Sequence, residues 1–339
     1  MSKLWNIAIV GATGLVGMQI IECLEEADFP VATLKLLAGG RGVGEALEFR
    51  GKPVLVEELS AAAFAGVDIA FFTAGKERSL EYCPIAAEAG VVCIDISSAW
   101  RNDPKVPLVI PEVNPQAIAD YRSKGIIANP NCSTIQMLVA LKPLHDYAGI
   151  RRIVVSTYQS VSGTGKKAVG ELERQVKRLL QGLPVEPNVY PYQIAFNCLP
   201  QIDAFGDNGY TREEMKLITE TRKILAADVK VTATTVRVPV FFGHAESVNI
   251  ETERKISAVK ARELIKKAPG CQLADDVANQ VYPTPIIAAG FDQVFVGRIR
   301  EDESVENGLN LWVVADNIRK GAATNAVQIA EILVREYLK

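Results

Sequence analysis

The first third of the chain alternates short apolar runs with stretches of helical spacing. Residues 4–10 (LWNIAIV) form an apolar strand followed by Gly11, Gly14 and Gly17. Val16, Ile20 and Leu24 then recur at helical spacing until Pro30 stops the run. Residues 34–38 read as a second strand, 67–73 as a third and 91–96 as a fourth, with helical spacing around 79–89. Strands alternating with helices in this way predict a doubly wound, Rossmann-type parallel sheet.

The pattern changes after about residue 133. Residues 134–148 predict a helix and 153–158 a strand. Residues 170–181 are amphipathic, with Glu171 and Glu173 early, Lys177 and Arg178 late and Gly182 as the stop. Longer strands follow at 229–240, 248–255, 294–299 and 309–314, with few helices between them, which predicts an α+β unit with a largely antiparallel sheet. The last segment, 317–338, sets Ala322, Ala326, Ile329, Ala330, Leu333 and Tyr337 on one helical face that should pack back on the first domain. The expected division is therefore 1–133 with 318–339 for a dinucleotide-binding domain, and 134–317 for a catalytic and dimerisation domain.

Composition narrows the partners. The chain has 339 residues, enough for two cores, and its net charge of −3 gives no reason to expect nucleic acid or an anionic membrane. No apolar run approaches the roughly 20 residues that span a bilayer, and the N-terminus lacks a signal-peptide pattern, so a cytoplasmic location is expected. The six cysteines are scattered, without C-x-x-C or paired Cys/His spacing, which predicts neither a metal site nor a disulfide framework. Only two histidines, His145 and His244, are available as acid or base.

Four stretches carry chemistry. GATGLVG at 11–17 lies between a predicted strand and helix, where a turn without β-carbons lets backbone N–H groups face a pyrophosphate. Its G-x-x-G-x-x-G spacing departs from the usual fingerprint. At the end of the second strand, LLAGGRGVG offers Arg41 and no carboxylate, favouring the 2′-phosphate of NADP over the ribose of NAD. NPNCSTIQ at 129–136 puts Cys132 at a helix start, with Ser133 or Thr134 as cap, where free N–H groups stabilise a thiolate. RVPVFFGH at 237–244 supplies Arg237, which can clamp a carboxylate, and His244, which can exchange a proton near neutral pH. On a straight strand those two would point to opposite faces, so Phe241-Phe242-Gly243 must turn the chain if both reach one pocket. Glu213 and Lys216 in YTREEMK share a helix face; taken alone they read as a surface pair worth about 0.2–0.5 kcal/mol. His145 reads as structural.

With GATGLVG, SSAWR (97–101), VPLVIPEVN (106–114), NPNCSTIQM, QSVSGTG (159–165), TREEMK, RVPVFFGH, VGRIR (296–300) and DNIRKGAATNAVQIAE (316–331) in order, the chain resembles the aspartate-β-semialdehyde dehydrogenases along essentially its whole length. The resemblance implies that Cys132 attacks the β-carbonyl of aspartyl phosphate and that NADP(H) serves as hydride donor. The products would be aspartate semialdehyde and phosphate, in biosynthesis of lysine, methionine, threonine and diaminopimelate. It further implies that His244 is the acid/base and that Gln159 orients the substrate. Arg237 would hold the α-carboxylate, and Glu213 would face the ammonium. Arg101, Asn131 and Lys216 would hold the phosphate. Gly11, Thr13, Gly14, Leu15, Val16, Arg41, Gly42, Ser162, Gly163 and Asn317 would line the cofactor site, and the enzyme would be a homodimer. Where many relatives carry a serine beside the arginine, this chain has Gly40-Arg41-Gly42, which weakens the case for strict NADP preference. The rival readings are an N-acetylglutamyl-phosphate reductase, against which Glu213 speaks, and a non-catalytic paralogue, against which the retained Cys132 speaks. A glyceraldehyde-phosphate dehydrogenase would carry a different nucleophile motif.

Overall fold

A computed structural model describes residues 3–338, with Arg41 described through its backbone only. The chain divides into two compact units, Met1–Asn131 with Ala322–Lys339, and Cys132–Gly321. The first contains β1 (Trp5–Val10), α1 (Leu15–Glu26), β2 (Val31–Ala38), β3 (Ala46–Phe49), β4 (Lys52–Glu58), β5 (Ile69–Phe72), α2 (Lys76–Glu88), β6 (Val92–Asp95) and β7 (Ile126–Ala128). Its sheet runs β3-β4-β2-β1-β5-β6-β7 and is parallel except for the β3–β4 hairpin. β5 and β6 are buried along their whole length, which is why they appear in the sequence as continuous apolar runs without alternation. Ile20 and Leu24 of α1 join a core that also holds Ala326, Ile329, Ala330 and Leu333. These last four belong to a segment that is not one continuous α-helix: Thr324–Ile332 is α-helical, flanked by π-helical turns at Arg319–Ala323 and Leu333–Tyr337.

The β3–β4 hairpin had no counterpart in the sequence pattern, and it makes the expected third strand the fifth. Its strands are short, mostly exposed and carry Glu48, Lys52, Pro53, Glu57 and Glu58. Register pairs Phe49 with Lys52, leaving Arg50-Gly51 as a two-residue turn with φ of 50° and 71°, the left-handed pair that suits the twist of a hairpin.

The second unit contains α3 (Cys132–Ala148), β8 (Ile150–Gln159), α4 (Lys166–Leu180), α5 (Arg212–Leu225), β9 (Lys230–Arg237), β10 (His244–Thr252), α6 (Ala258–Lys267), β11 (Cys271–Leu273), β12 (Val294–Asp302) and β13 (Gly308–Ala315). The sheet order is β11-β12-β13-β10-β8-β9. The inner pairings β12–β13, β13–β10 and β10–β8 are antiparallel, and the outer ones, β11–β12 and β8–β9, are parallel. α3 packs against β10 and β13. Along β10 the buried positions Glu246, Val248 and Ile250 alternate with the exposed Ser247 and half-buried Asn249 and Glu251. Among the described residues no helix is long and apolar enough to cross a membrane.

Two helix starts differ from the expected ones. α3 begins at Cys132, so Ser133 and Thr134 lie inside its first turn and are not its caps. α4 begins at Lys166, just after Gly165 turns the chain at φ 99°. Glu171 therefore sits beyond the first turn and does not complement the helix dipole. It is fully buried and accepts the N–H groups of Asn188 (3.0 Å) and Val189 (2.8 Å), tying down the following segment.

α5 is the best-defined helix start. Thr211 Oγ1 accepts from Glu214 N (3.2 Å), Glu214 Oε2 accepts from Thr211 N (2.7 Å), and Glu214 Oε1 takes the N–H of Thr235 on β9 (2.9 Å). This box fixes the turn that carries Glu213 and Lys216. Thr211→Ala should cost about 1 kcal/mol, read as a lower urea midpoint; an unchanged midpoint would mean that packing alone holds the helix.

Candidate functional site

Sheet register assembles the site in the second unit. β8 and β9 run parallel and pair Gln159 with Arg237 at their ends. β10 runs antiparallel on the other side of β8, pairing Ala245 with Tyr158, and His244 pairs with Ala315 at the end of β13. The last residues of β8, β9 and β13 and the first of β10 thus share one edge. The connection 238–243 passes the end of β8, and Gly243 (φ 85°) completes the turn. A Cβ on Gly243 would lie 2.9 Å from the carbonyl oxygen of Pro285, so neither its dihedral nor its space admits a side chain.

Gln159, Arg237 and His244 are all buried. Ser160 N donates to His244 Nδ1 at 3.0 Å, and the Ser160 hydroxyl lies at the same distance. With Nδ1 accepting, the proton of the neutral ring belongs on Nε2. That nitrogen is buried and has no hydrogen-bond partner, and neither has Arg237 Nε. Arg237 Nη1 is held by the carbonyl of Ser160 at 2.6 Å. A Cβ on Gly163 would lie 3.1 Å from Arg237 Nη1 and 3.2 Å from His244 Nε2, so the backbone of this turn approaches both groups more closely than a side chain would allow. Burial, seconded by the Arg237 charge, pushes the His244 pKa down to about 3, against the smaller opposing pull of Glu213 and the Gly243 backbone. The substrate-free imidazole is therefore neutral at physiological pH, so any exchange of a proton near neutrality depends on what binds beside it.

Gln159 links this edge to α5. Its Nε2 donates to Glu213 Oε1 (3.1 Å), its Oε1 accepts from Thr157 Oγ1 (3.0 Å), and Lys216 Nζ lies 2.9 Å from Glu213 Oε2. The Glu213 side chain is only 6% exposed, so the pair is not the surface ion pair its spacing suggests. Lys216 also reaches Asp203 at 3.2 Å.

Cys132 opens α3 and is half-buried. Gly321, in the π-helical turn Arg319–Ala323, backs onto it: a Cβ there would lie 2.8 Å from Cys132 Cβ. Gln136, one turn further along α3, donates to the His244 carbonyl at 3.4 Å, so the nucleophile's helix and the start of β10 are neighbours. Asn317 is committed to structure: its Oδ1 accepts from Ser160 Oγ, Ser162 Oγ and Gly243 N, and its Nδ2 reaches Ser162 Oγ, all within 3.0–3.1 Å. Gly163 and Ser162 lie in the same short turn, Val161–Thr164.

In the first unit, Gly11 (φ 90°) ends β1, and a Cβ on it would meet Thr73 Oγ1 at 2.6 Å. A Cβ on Gly17 would come within 2.3 Å of the Gly11 carbonyl oxygen. Gly14 is the N-cap of α1 with no side-chain cap, leaving the turn through Thr13, Gly14, Leu15 and Val16 lined by backbone, as a pyrophosphate cradle requires. Gly42, in the turn Gly40–Gly42, lies against Thr13, its Cβ position being 2.9 Å from Thr13 Oγ1. The Arg41 side chain lies outside the described residues. Arg101 is buried, with Nε on the Asn129 carbonyl and Nη2 on the Ile96 carbonyl, both at 2.9 Å; Asn131 is buried at the end of this unit.

Comparisons with known proteins agree with this architecture. Residues 6–121 match the family model "Semialdehyde dehydrogenase, NAD binding domain", and residues 141–320 match "Semialdehyde dehydrogenase, dimerisation domain". The aspartate-semialdehyde dehydrogenase of Aquifex aeolicus is 57% identical over 98% of this chain and 99% of its own length. The chain belongs to the aspartate-semialdehyde dehydrogenase family. A crystal structure of aspartate semialdehyde dehydrogenase II from Vibrio cholerae, complexed with ASA, superposes with a TM-score of 0.97 at 54% identity, covering 99% of this chain and all of that one. A family member from Candida albicans, solved with NADP, shares the fold at a TM-score of 0.75 and 24% identity over 98% of each chain.

Sequence reasoning missed two residues that this edge of the sheet brings to the site. Ser160, inside QSVSGTG, sets the His244 tautomer, and the Tyr190 ring lies 6.0 Å from the Arg237 guanidinium while its hydroxyl donates to Thr164 at 3.0 Å. Ser160 could have been found from its place one residue beyond Gln159, whereas nothing in the irregular segment around Tyr190 marks it.

With only two histidines, the His244 state can be observed directly. Nitrogen NMR of the substrate-free protein should show one ring that stays neutral and Nε2-protonated from about pH 5 upward. A midpoint near the ordinary 6.5 would contradict the burial argument.

Proposed function

We propose that this chain catalyses the NADPH-dependent reductive dephosphorylation of L-aspartyl 4-phosphate to L-aspartate 4-semialdehyde and phosphate. The observation that carries the reading is the pair of buried, unpartnered donors, Arg237 Nε and His244 Nε2, on side chains that both lie against Gly163, in the unit that carries Cys132. Buried donors without partners cost stability, and a bound anion or oxyanion recovers that cost.

The Cys132 thiolate, favoured by the helix start, attacks the β-carbonyl; the tetrahedral oxyanion collapses and phosphate leaves, with an acyl thioester remaining on Cys132. A dinucleotide held at the Gly11–Val16 turn would supply the hydride that reduces this thioester carbonyl. The resulting thiohemiacetal oxyanion expels the Cys132 thiolate and releases the aldehyde. His244 presents Nε2–H to the oxygen that becomes negative in each addition, and bound anionic substrate raises its pKa toward the range where it transfers a proton. Arg237 clamps the α-carboxylate through its remaining donors. Glu213 faces the ammonium, and Gln159, held between Thr157 and Glu213, orients the reacting carbonyl. Lys216, and in the first unit Arg101 and Asn131, keep the phosphate-binding role that the resemblance implies. Gly42, Ser162, Gly163, Arg41 and Asn317 keep their place in the cofactor site, Asn317 by fixing the turns that hold Ser162 and Gly243. We place the enzyme in the cytoplasm, in biosynthesis of the aspartate-derived amino acids.

The dimer reading rests on the sheet face away from α3. Tyr158 and Trp312 meet there at an interplanar angle of 51° with ring centroids 5.4 Å apart, beside a groove lined by Tyr282, Arg298, Arg300 and Trp312. Ile286 is 88% exposed nearby. A second copy would cover this apolar surface.

Purified protein mixed with aspartate semialdehyde, phosphate and NADP⁺ should form NADPH in a phosphate-dependent way. Cys132→Ser should abolish it, and Arg237→Ala should raise KM for the semialdehyde more than it lowers kcat. No turnover with NADP⁺ or NAD⁺ would reject the substrate assignment. For the oligomer, sedimentation should give twice the chain mass, falling to one for Ile286→Asp; a monomeric wild type would reject the dimer.

A further inference from the structure

The alternation along β10 puts buried side chains at Glu246, Val248 and Ile250. The first of these is a glutamate at a position where the fold calls for a hydrocarbon. It is completely buried on the strand that starts with His244, two residues away on the same face. Its cross-strand neighbours, Thr157 on β8 and Val313 on β13, bring no charge to it. Facing it from α3 are the Ser133 hydroxyl and the Gln136 amide. These belong to the residue next to Cys132 and the residue one helical turn beyond it.

We propose that Glu246 is a positioning residue for the nucleophile, locking the first turn of α3 to β10 through Ser133 and Gln136 and so fixing the direction in which Cys132 points. Gln136 Nε2 is turned to the His244 carbonyl, while its Oε1 and both oxygens of Glu246 are buried without a completed hydrogen bond. Buried acceptors left without a donor are an unstable arrangement. A proton on Glu246 removes the buried charge, while its carbonyl oxygen can still accept from Ser133 and Gln136. Burial pushes the Glu246 pKa well up against the opposing contacts of Gln136 and Ser133, which favours the neutral acid. A neutral group also leaves the adjacent thiolate without a repelling charge.

The inference rests on Cys132 as nucleophile, and alkylation of that thiol reads its state whatever the substrate proves to be. Three variants, Glu246→Gln, Glu246→Leu and Gln136→Met, should be compared by kcat, KM and the pH dependence of Cys132 alkylation, followed on the Cys132 peptide by mass spectrometry. Glu246→Gln keeps an uncharged donor and acceptor and should hold kcat and the alkylation midpoint within about twofold. Glu246→Leu fills the space without the link. It should lower kcat by roughly ten- to a hundredfold, as expected of a displaced reacting group, with KM nearly unchanged and the alkylation midpoint raised. Gln136→Met should reproduce that loss with Glu246 intact, which keeps the test open if the leucine variant does not fold. Wild-type kcat and alkylation in Glu246→Leu or Gln136→Met would make Glu246 a core residue only. A Glu246→Gln variant as impaired as the leucine one would show that the carboxyl acts through its charge, and would overturn the positioning role. Loss of turnover in the wild type with normal alkylation would reject the substrate reading and leave this inference standing.

Discussion

The register of β10 between β8 and β13 is the constraint on which the site depends. Pairing His244 with Ala315 and Ala245 with Tyr158, while β9 pairs Arg237 with Gln159, brings four distant stretches to one sheet edge. Strand side chains alternate with a period of two, so a slip of one residue would move His244 and Glu246 to the opposite face. Val248 and Ile250 resist that slip because they would leave the α3 interface with them. The chemistry is therefore held in place by hydrocarbon burial several residues away.

Burial at that edge sets the charge states as well. Dehydrating His244 next to Arg237 leaves a neutral ring, and the Ser160 N–H decides which nitrogen carries its proton. The carboxylate of Glu213 softens this field only partly, since Gln159 and Lys216 already draw on its two oxygens. Such a site is out of balance until an anion arrives, and the imbalance is itself a source of selectivity: a neutral ligand of the same shape would leave Arg237 Nε unanswered.

Much of this was legible in the sequence, and what was not has physical causes. Continuous apolar runs revealed β1, β5 and β6 because parallel strands buried on both faces need no alternation. The exposed hairpin at 46–58 left no such trace, because its strands have little to bury. NPNCST marked Cys132, and the seven-residue gap between Arg237 and His244 demanded a turn that Gly243 supplies. What spacing could not reveal was depth. Glu213 and Lys216 have the spacing of an ordinary surface pair, and only the packing of α5 on β9 shows them half or fully buried. Glu171 likewise has the place of an early acid in an amphipathic helix, yet its carboxylate serves the backbone of Asn188 and Val189.

The position of Cys132 follows from how the chain is threaded. The chain passes from one unit to the other between Asn131 and Cys132, and back between Gly321 and Ala322. Gly321 lies against Cys132, so both crossings occur beside the nucleophile. A π-helical turn is a costly device in a regular helix, since it widens the coil by one residue. Here it sets a glycine where any β-carbon would strike the cysteine. The thiol is thereby confined on one side by bare backbone and anchored on the other by α3 and its contacts with β10. A nucleophile held between two backbone segments gains part of its aim from the connectivity of the fold.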